Sequence, residues 1–321
     1  MKINILNYKI SSHNIVKIIV FLLIIISFDI IIGKTLEYFY FQQDSGFLYR
    51  TTYALEETNA DLLVFGSSKA NHHYEPEIFK KRLNTSFYNA GRDGNTIFYH
   101  NALLKGILTR YSPKVVILDL TNCEFSVDRT VYDRLSSLLP YYKKHHEMRS
   151  TIELRSPYEK FKLLSEIYPY NSSLFSILIG NLDYNKTRVE DKEGFVPLYG
   201  GWGEQIANTY NSAKYDVDTN LIEAYESFIR ICKNADIKLE IVSSPSFVNL
   251  QYEDYSIKVA KEIAKKYKIN FFDYSNNQFF INSPSVFMDP GHLNVDGAKI
   301  FSNLFIDEML KADSLLIKSY K

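Results

Sequence analysis

The apolar positions of this chain fall into two patterns that change near residue 60. From Ile18 to Ile32 the residues run IIVFLLIIISFDIII, apolar on every side of a helix, and with flanks from Ile15 to Gly33 the run matches a hydrocarbon core ~30 Å thick. Lys17 and Asp29 interrupt it, each close to an end, where a charge costs less than at mid-bilayer. Beyond residue 60, short apolar runs alternate with amphipathic stretches. Strands are predicted over 61–65, 86–89, 114–120, 237–242 and 269–272, and helices over 76–83, 96–110, 220–233, 255–266 and 295–311. Continuously apolar strands suit a parallel sheet covered on both faces, so the alternation predicts a three-layer α/β/α domain with a mostly parallel sheet.

Lys2, Lys9 and Lys17 precede the apolar run, whereas Lys34 is the only basic residue after it before Arg50. The positive-inside rule then places the amino terminus in the cytoplasm and the remainder outside, a single pass through the cytoplasmic membrane. No small-x-small cleavage site follows, which favours an uncleaved anchor over a signal peptide. The expected division is an anchor at 1–35, a juxtamembrane linker at 36–60 and a domain at 61–321 carrying an insertion at about 128–215. Within the insertion a helix is predicted over 156–167, the pair His145-His146 reads as a polar loop, and Trp202 stands between glycines. Asp29 reads as an interfacial carboxylate or as a contact with a polar group on a partner membrane protein.

With 37 basic and 37 acidic residues among 321, the chain has no global attraction for polyanions, so no nucleic-acid partner is expected. Cys123 and Cys232 make at most one disulfide, and the seven histidines include no HExxH spacing, so no metal is expected either.

In open α/β sheets ligands bind beyond the carboxyl ends of the strands. The first strand ends in Gly66-Ser67-Ser68-Lys69, the second in Asn89-Ala-Gly91-Arg92-Asp93-Gly94, and the third in Thr121-Asn122-Cys123. The closing helix is preceded by Asp289-Pro-Gly-His292. A serine, a glycine turn able to aim an N–H, an amide, a carboxylate and an imidazole are the parts needed for acyl transfer.

Taken in this order, the blocks resemble the SGNH/GDSL hydrolase superfamily. The resemblance implies a flavodoxin-like sandwich, Ser68 as nucleophile, His292 as general base and Asp289 as its orienting carboxylate. It also implies an oxyanion hole from the Ser68 and Gly94 backbone N–H groups with the Asn122 amide, and no cofactor. Ser67 stands where the family usually has aspartate, Leu120 where the third block has glycine, and Cys123 where aspartate follows the asparagine. Together with the anchor, the serine form is similar to a membrane-anchored branch that works on cell-envelope glycopolymers or acylated sugars, often beside a multi-spanning acyltransferase. The implied activity is a serine esterase or acyltransferase acting on acyl groups, O-acetyl above all, of cell-envelope polysaccharide. The competing expectation is a non-catalytic adaptor that holds the glycopolymer or the acyltransferase.

Other residues have plainer readings. Ser67 is an alternative nucleophile, with Ser68 capping the following helix. His72 and His73 are expected to face solvent or pack locally, and Arg92 and Asp93 to be turn residues. Trp202 suits either the apolar face of a sugar ring or a packed lid, the lid being favoured.

Overall fold

The computed structural model describes residues 12–182, 191–203, 207–210 and 214–312. Helix α1 (Ser12–Phe41) contains the apolar run, whose side chains from Ile15 to Ile32 are exposed, and is long and apolar enough to cross a membrane. It continues past the expected boundary, and a second helix, α2 (Gly46–Glu56), follows. The stretch expected as a juxtamembrane linker, 36–60, is thus largely helical. Leu48, Thr51 and Leu55, spaced to share one helical face, are buried with Ala54, and Tyr40 is buried at the end of α1. Their period was hidden by the surrounding tyrosines and phenylalanines.

Five parallel strands form the central sheet: β1 (Leu62–Gly66), β2 (Phe87–Asn89), β3 (Val115–Asp119), β4 (Lys238–Ser243) and β5 (Asn270–Asp273), in the order β2-β1-β3-β4-β5. Alternate residues of β1 point to opposite layers. Leu62 and Val64 pack with α3 (Ser68–His73), α4 (Pro76–Leu83) and the carboxyl-terminal helix Val295–Ala312. Leu63 and Phe65 pack with α5 (Ile97–Leu108), α6 (Thr219–Asn234) and α7 (Tyr255–Tyr267). Both faces are thus covered, as continuous apolar strands require. The strand order reverses direction at β1 and β3, where a crevice opens at their carboxyl ends.

Up to Gly180, the described residues of the insertion form short helical turns and one short helix, Leu174–Gly180, packed against α1, α2 and α5. In place of the helix expected over 156–167 there is a single turn, Glu159–Lys162. The chain leaves the helical path because the Asp29 carboxylate accepts hydrogen bonds from the Ser165 hydroxyl (2.6 Å) and the Glu166 N–H (2.7 Å). Asp29 is therefore engaged within its own chain, neither a free interfacial carboxylate nor one waiting for a partner. His145 also departs from expectation: it is buried between Glu56 and Glu147, 2.8 Å from each, and ties the insertion to α2.

Candidate active site

β1 turns into α3 at Gly66, whose φ of +143° suits glycine alone. A Cβ here would lie 2.5 Å from the Asp119 carbonyl oxygen, so neighbouring β3 also demands a bare backbone. Ser68 becomes the first residue of α3, where its N–H has no acceptor within the helix. From the far end of the chain, β6 (Phe287–Asp289) and β7 (His292–Leu293) form a small antiparallel pair leading into α8 (Val295–Ala312). Asp289 Oδ1 accepts the Gly291 N–H (2.8 Å) and the His292 N–H (3.0 Å), which holds the turn closed.

Across the crevice His292 Nε2 lies 2.7 Å from Ser68 Oγ, and its Nδ1 lies 2.9 Å from both Asp289 oxygens. An ionised carboxylate only accepts, so these partners assign the proton to Nδ1 and leave Nε2 to accept the serine hydroxyl. Partial burial raises the Asp289 pKa, but hydrogen bonds from His292 and Gly291 outweigh it and hold the carboxyl below its usual range. Ser67 makes no capping bond and faces a neighbouring cleft; the histidine reaches Ser68 instead.

The loops after β1, β2 and β3 enclose that cleft, of about 170 Å³, lined by Ser67, Gly94, Asn95, Thr121, Cys123 and Arg134. The loop carrying Gly94 is strapped to the nucleophile turn. Asn89 donates to the Ala70 carbonyl (2.7 Å), and the Arg92 N–H donates to the Gly66 carbonyl (2.9 Å). Arg134 donates to the Gly94 carbonyl, and the N–H of that same peptide, on Asn95, donates to the Arg92 carbonyl (3.1 Å), which fixes the turn that carries Gly94. Asn122, between cleft-lining Thr121 and Cys123, is half-buried, and its enclosed Oδ1 has no partner among the described residues. Cys123 and Cys232 are both free.

Glu124 completes this loop. Its carboxylate accepts the Ile97 N–H (2.8 Å) at the start of α5 and the Thr121 hydroxyl (3.0 Å), and burial pushes its pKa up to about 7. The native chain therefore binds a proton that the unfolded chain releases, and this group's contribution to stability declines as pH rises from about 4.5 to about 7. Glu124→Gln keeps an acceptor without the charge. Urea unfolding of the full chain at pH 5 and pH 8 is expected to show a smaller loss of stability in the variant, by roughly 2–3 kcal/mol. Equal losses in both proteins would move the titration elsewhere.

Behind the three residues lies a buried polar network. His73 Nε2 accepts the Leu293 N–H (3.0 Å), fixing the backbone next to His292, and its Nδ1 donates to Ser244 Oγ (3.0 Å). Burial, with Lys69 nearby, holds the His73 pKa well below the usual imidazole range, so it stays neutral as that acceptor role needs. Lys69 donates to the Ser244 carbonyl (3.0 Å), and Asp119 accepts from the Ser244 N–H (3.1 Å) and the Tyr74 hydroxyl (2.9 Å). Burial lowers the Lys69 pKa and raises that of Asp119. His72 is also buried; its Nδ1 donates to the Val196 carbonyl (2.7 Å), and its ring meets that of His292 edge-on at 5.5 Å. Of the two expected placements, facing solvent or packing locally, the structure shows the second, because every residue from Lys69 to His73 is buried, with α3 packed on β1 and α8.

Arg92 and Asp93 do more than turn the chain. Arg92 donates to the Phe47 carbonyl and to Thr51 Oγ1 (2.5 Å), which holds α2 against the site. Burial raises the Asp93 pKa, but His72 and Asn71 outweigh it and draw the carboxyl down to about 2. A cavity of about 530 Å³ lies beside them, lined by Phe47, Arg50, His72, Arg92, Asp93 and Phe175 among others. Trp202 is half-buried against the core at Phe287, to whose carbonyl its N–H donates (2.7 Å). It braces the strand that ends in Asp289.

No family model matches this chain, and no curated protein matches it. Among solved structures, one from Bacteroides fragilis NCTC 9343, assigned as an acylhydrolase, is 14% identical at a TM-score of 0.40, covering 84% of this chain and 95% of its own. Another, described as a GDSL-like lipase from Bacteroides thetaiotaomicron VPI-5482, is 12% identical at 0.37, covering 78% and 88%. At these values the likeness assigns no activity.

Proposed function

We propose that this chain is a membrane-anchored serine ester hydrolase or acyltransferase of the SGNH/GDSL type, acting outside the cytoplasmic membrane on acyl groups, chiefly O-acetyl, of a cell-envelope glycopolymer. The observation that carries the reading is the continuous hydrogen-bonded line from Ser68 Oγ through His292 to Asp289. Ser68 Oγ attacks the ester carbonyl while His292 Nε2 takes its proton, and Asp289 holds the imidazolium in register. The tetrahedral oxyanion is held by the Ser68 and Gly94 N–H groups and the Asn122 amide. Each such donor lowers the barrier by about 3–4 kcal/mol where one has been removed. The imidazolium then protonates the leaving alkoxide, and the acyl group remains on Ser68. Water or a sugar hydroxyl next gives its proton to His292 and attacks the acyl-serine; as the bond to Ser68 Oγ breaks, His292 returns that proton to the serine, releasing an acid in the first case and a new ester in the second. A multi-spanning acyltransferase as partner fits the second outcome.

A fluorophosphonate probe tests the chemistry, since it reacts only with an activated serine. Incubated with the full chain in detergent, it is expected to modify the tryptic peptide carrying Ser68. A folded protein that stays unlabelled would favour the adaptor reading. Acetylated polysaccharide supplied to the labelling-competent enzyme then separates release of acetate from its transfer.

A further inference from the structure

We infer that residues 154–182 form a platform seated in the outer face of the same bilayer that α1 crosses, fixing the height and tilt of the site above the membrane. This rests on the reading of α1 as a transmembrane anchor. The platform presents Tyr158, Phe161, Leu164, Phe175, Leu178 and Leu182 outward, with Leu164 78% and Phe175 74% exposed. Large apolar side chains concentrated on one short segment mark an interaction surface.

What this surface faces follows from where it joins α1. The apolar run from Ile15 to Gly33 rises about 28 Å at 1.5 Å per residue, close to a full hydrocarbon core of ~30 Å. Its outer end therefore lies near Gly33, and Asp29 sits about 6 Å further in. The Ser165–Ile167 turn is bonded to Asp29, with Ser165 Oγ at 2.6 Å and Glu166 N at 2.7 Å. Gly33 lets that turn come close, since a Cβ there would lie 2.3 Å from Glu166 Cβ. Asn181 donates to the Phe39 carbonyl (2.9 Å), so the helix Leu174–Gly180 is moored to the same stretch.

The exposed side chains of Tyr158, Phe161 and Leu164 are thus held next to where the apolar surface of α1 ends and widen it, while the helix Leu174–Gly180, moored at Phe39, lies about 9 Å further out, at headgroup level. The polar groups at this depth have partners in the chain: two backbone N–H groups and a hydroxyl meet one carboxylate, as backbone at membrane depth requires. Lys143 pairs with Glu166 at the same level. A bilayer fits such a surface better than water does, and it is the neighbour that α1 already implies. Because α1 runs on to Phe41 and α2 packs on the domain after a short turn, the platform and anchor hold the domain in one attitude. The 530 Å³ cavity sits between the platform residues Phe175 and Ile179 and His72.

Tryptophan quenching by brominated lipid tests the inference on the full chain, which contains a single native tryptophan, Trp202, as the baseline. Phe161→Trp and Leu164→Trp report on the platform, Leu23→Trp on the anchor, and Phe279→Trp on an exposed site outside the patch. In phosphatidylcholine vesicles with brominated acyl chains, the platform and anchor variants are expected to lose their added fluorescence, while Phe279→Trp keeps it. Quenching of Leu23→Trp without quenching at 161 and 164 would overturn the platform, keep the anchor and leave the surface for a protein partner. An unquenched Leu23→Trp would overturn the anchor reading itself.

Discussion

Ser68→Ala is expected to lower kcat for p-nitrophenyl acetate hydrolysis by roughly 10⁴–10⁶-fold, with the folded structure unchanged. The hydroxyl is part exposed and engaged only with His292, so removing it breaks no core contact. His292→Ala is expected to fall to a similar floor, and the double variant no further, because serine and histidine act as one unit whose losses do not add. Asp289→Asn should cost roughly 10³–10⁴-fold, since an amide at this place no longer enforces the Nδ1–H tautomer. Ser67→Ala is the internal control. Its side chain reaches neither His292 nor a helix cap, and turnover within severalfold of wild type is expected. If Ser67→Ala were the inactive variant and Ser68→Ala the active one, the assignment of the nucleophile would be wrong. Wild-type turnover in both would remove the serine mechanism altogether.

The sheet was readable because its strands are covered on two sides, which leaves runs such as Leu62–Gly66 and Val115–Asp119 without polar interruption. The three residues on the Ser68–His292–Asp289 line were readable for a related reason: Ser68 follows the end of β1, Asp289 and His292 flank the tight turn between β6 and β7, and both turns are short enough to mark in sequence. The network behind them was not. His73 meets Ser244 from 171 residues away, and nothing in the local sequence distinguishes a buried, neutral histidine from an exposed one. Asp119 lies inside the strand expected over 114–120, and nothing in the local sequence shows that Tyr74 and Ser244 close around it. Elements outside the sheet were obscured differently. In α2 the buried face shares its sequence with exposed aromatic residues, and in 154–182 the buried Leu163, Tyr170 and Ile177 stand among exposed apolar residues such as Phe161, Leu164 and Phe175. Periodicity reports a boundary between core and water; where the second medium is lipid, or a helix made partly of lipid-facing residues, it reports little.

Gly66→Ala is expected to destabilise the domain by roughly 3–5 kcal/mol and to depress turnover at temperatures where it remains folded. Two independent facts set the size. The backbone holds φ at +143°, a region that side-chain-bearing residues rarely enter, and the added Cβ would lie 2.5 Å from the Asp119 carbonyl oxygen and 2.8 Å from Ala70 Cβ. Neither neighbour yields cheaply. Gly66 and Asp119 are partners in the β1–β3 register, so moving the carbonyl breaks the sheet, and moving Ala70 shifts α3 with Ser68 on it. The second route keeps more stability but carries the nucleophile away from His292, where a displacement of about 1 Å costs roughly 100-fold in rate. Gly201→Ala provides the comparison, because a Cβ there meets nothing within 4 Å among the described residues and should change stability by less than about 0.5 kcal/mol. Urea midpoints and kcat measured on the same preparations read both consequences. Wild-type values of each in Gly66→Ala would mean that the turn has room the geometry denies it, and the account of how β1 presents Ser68 would have to be abandoned.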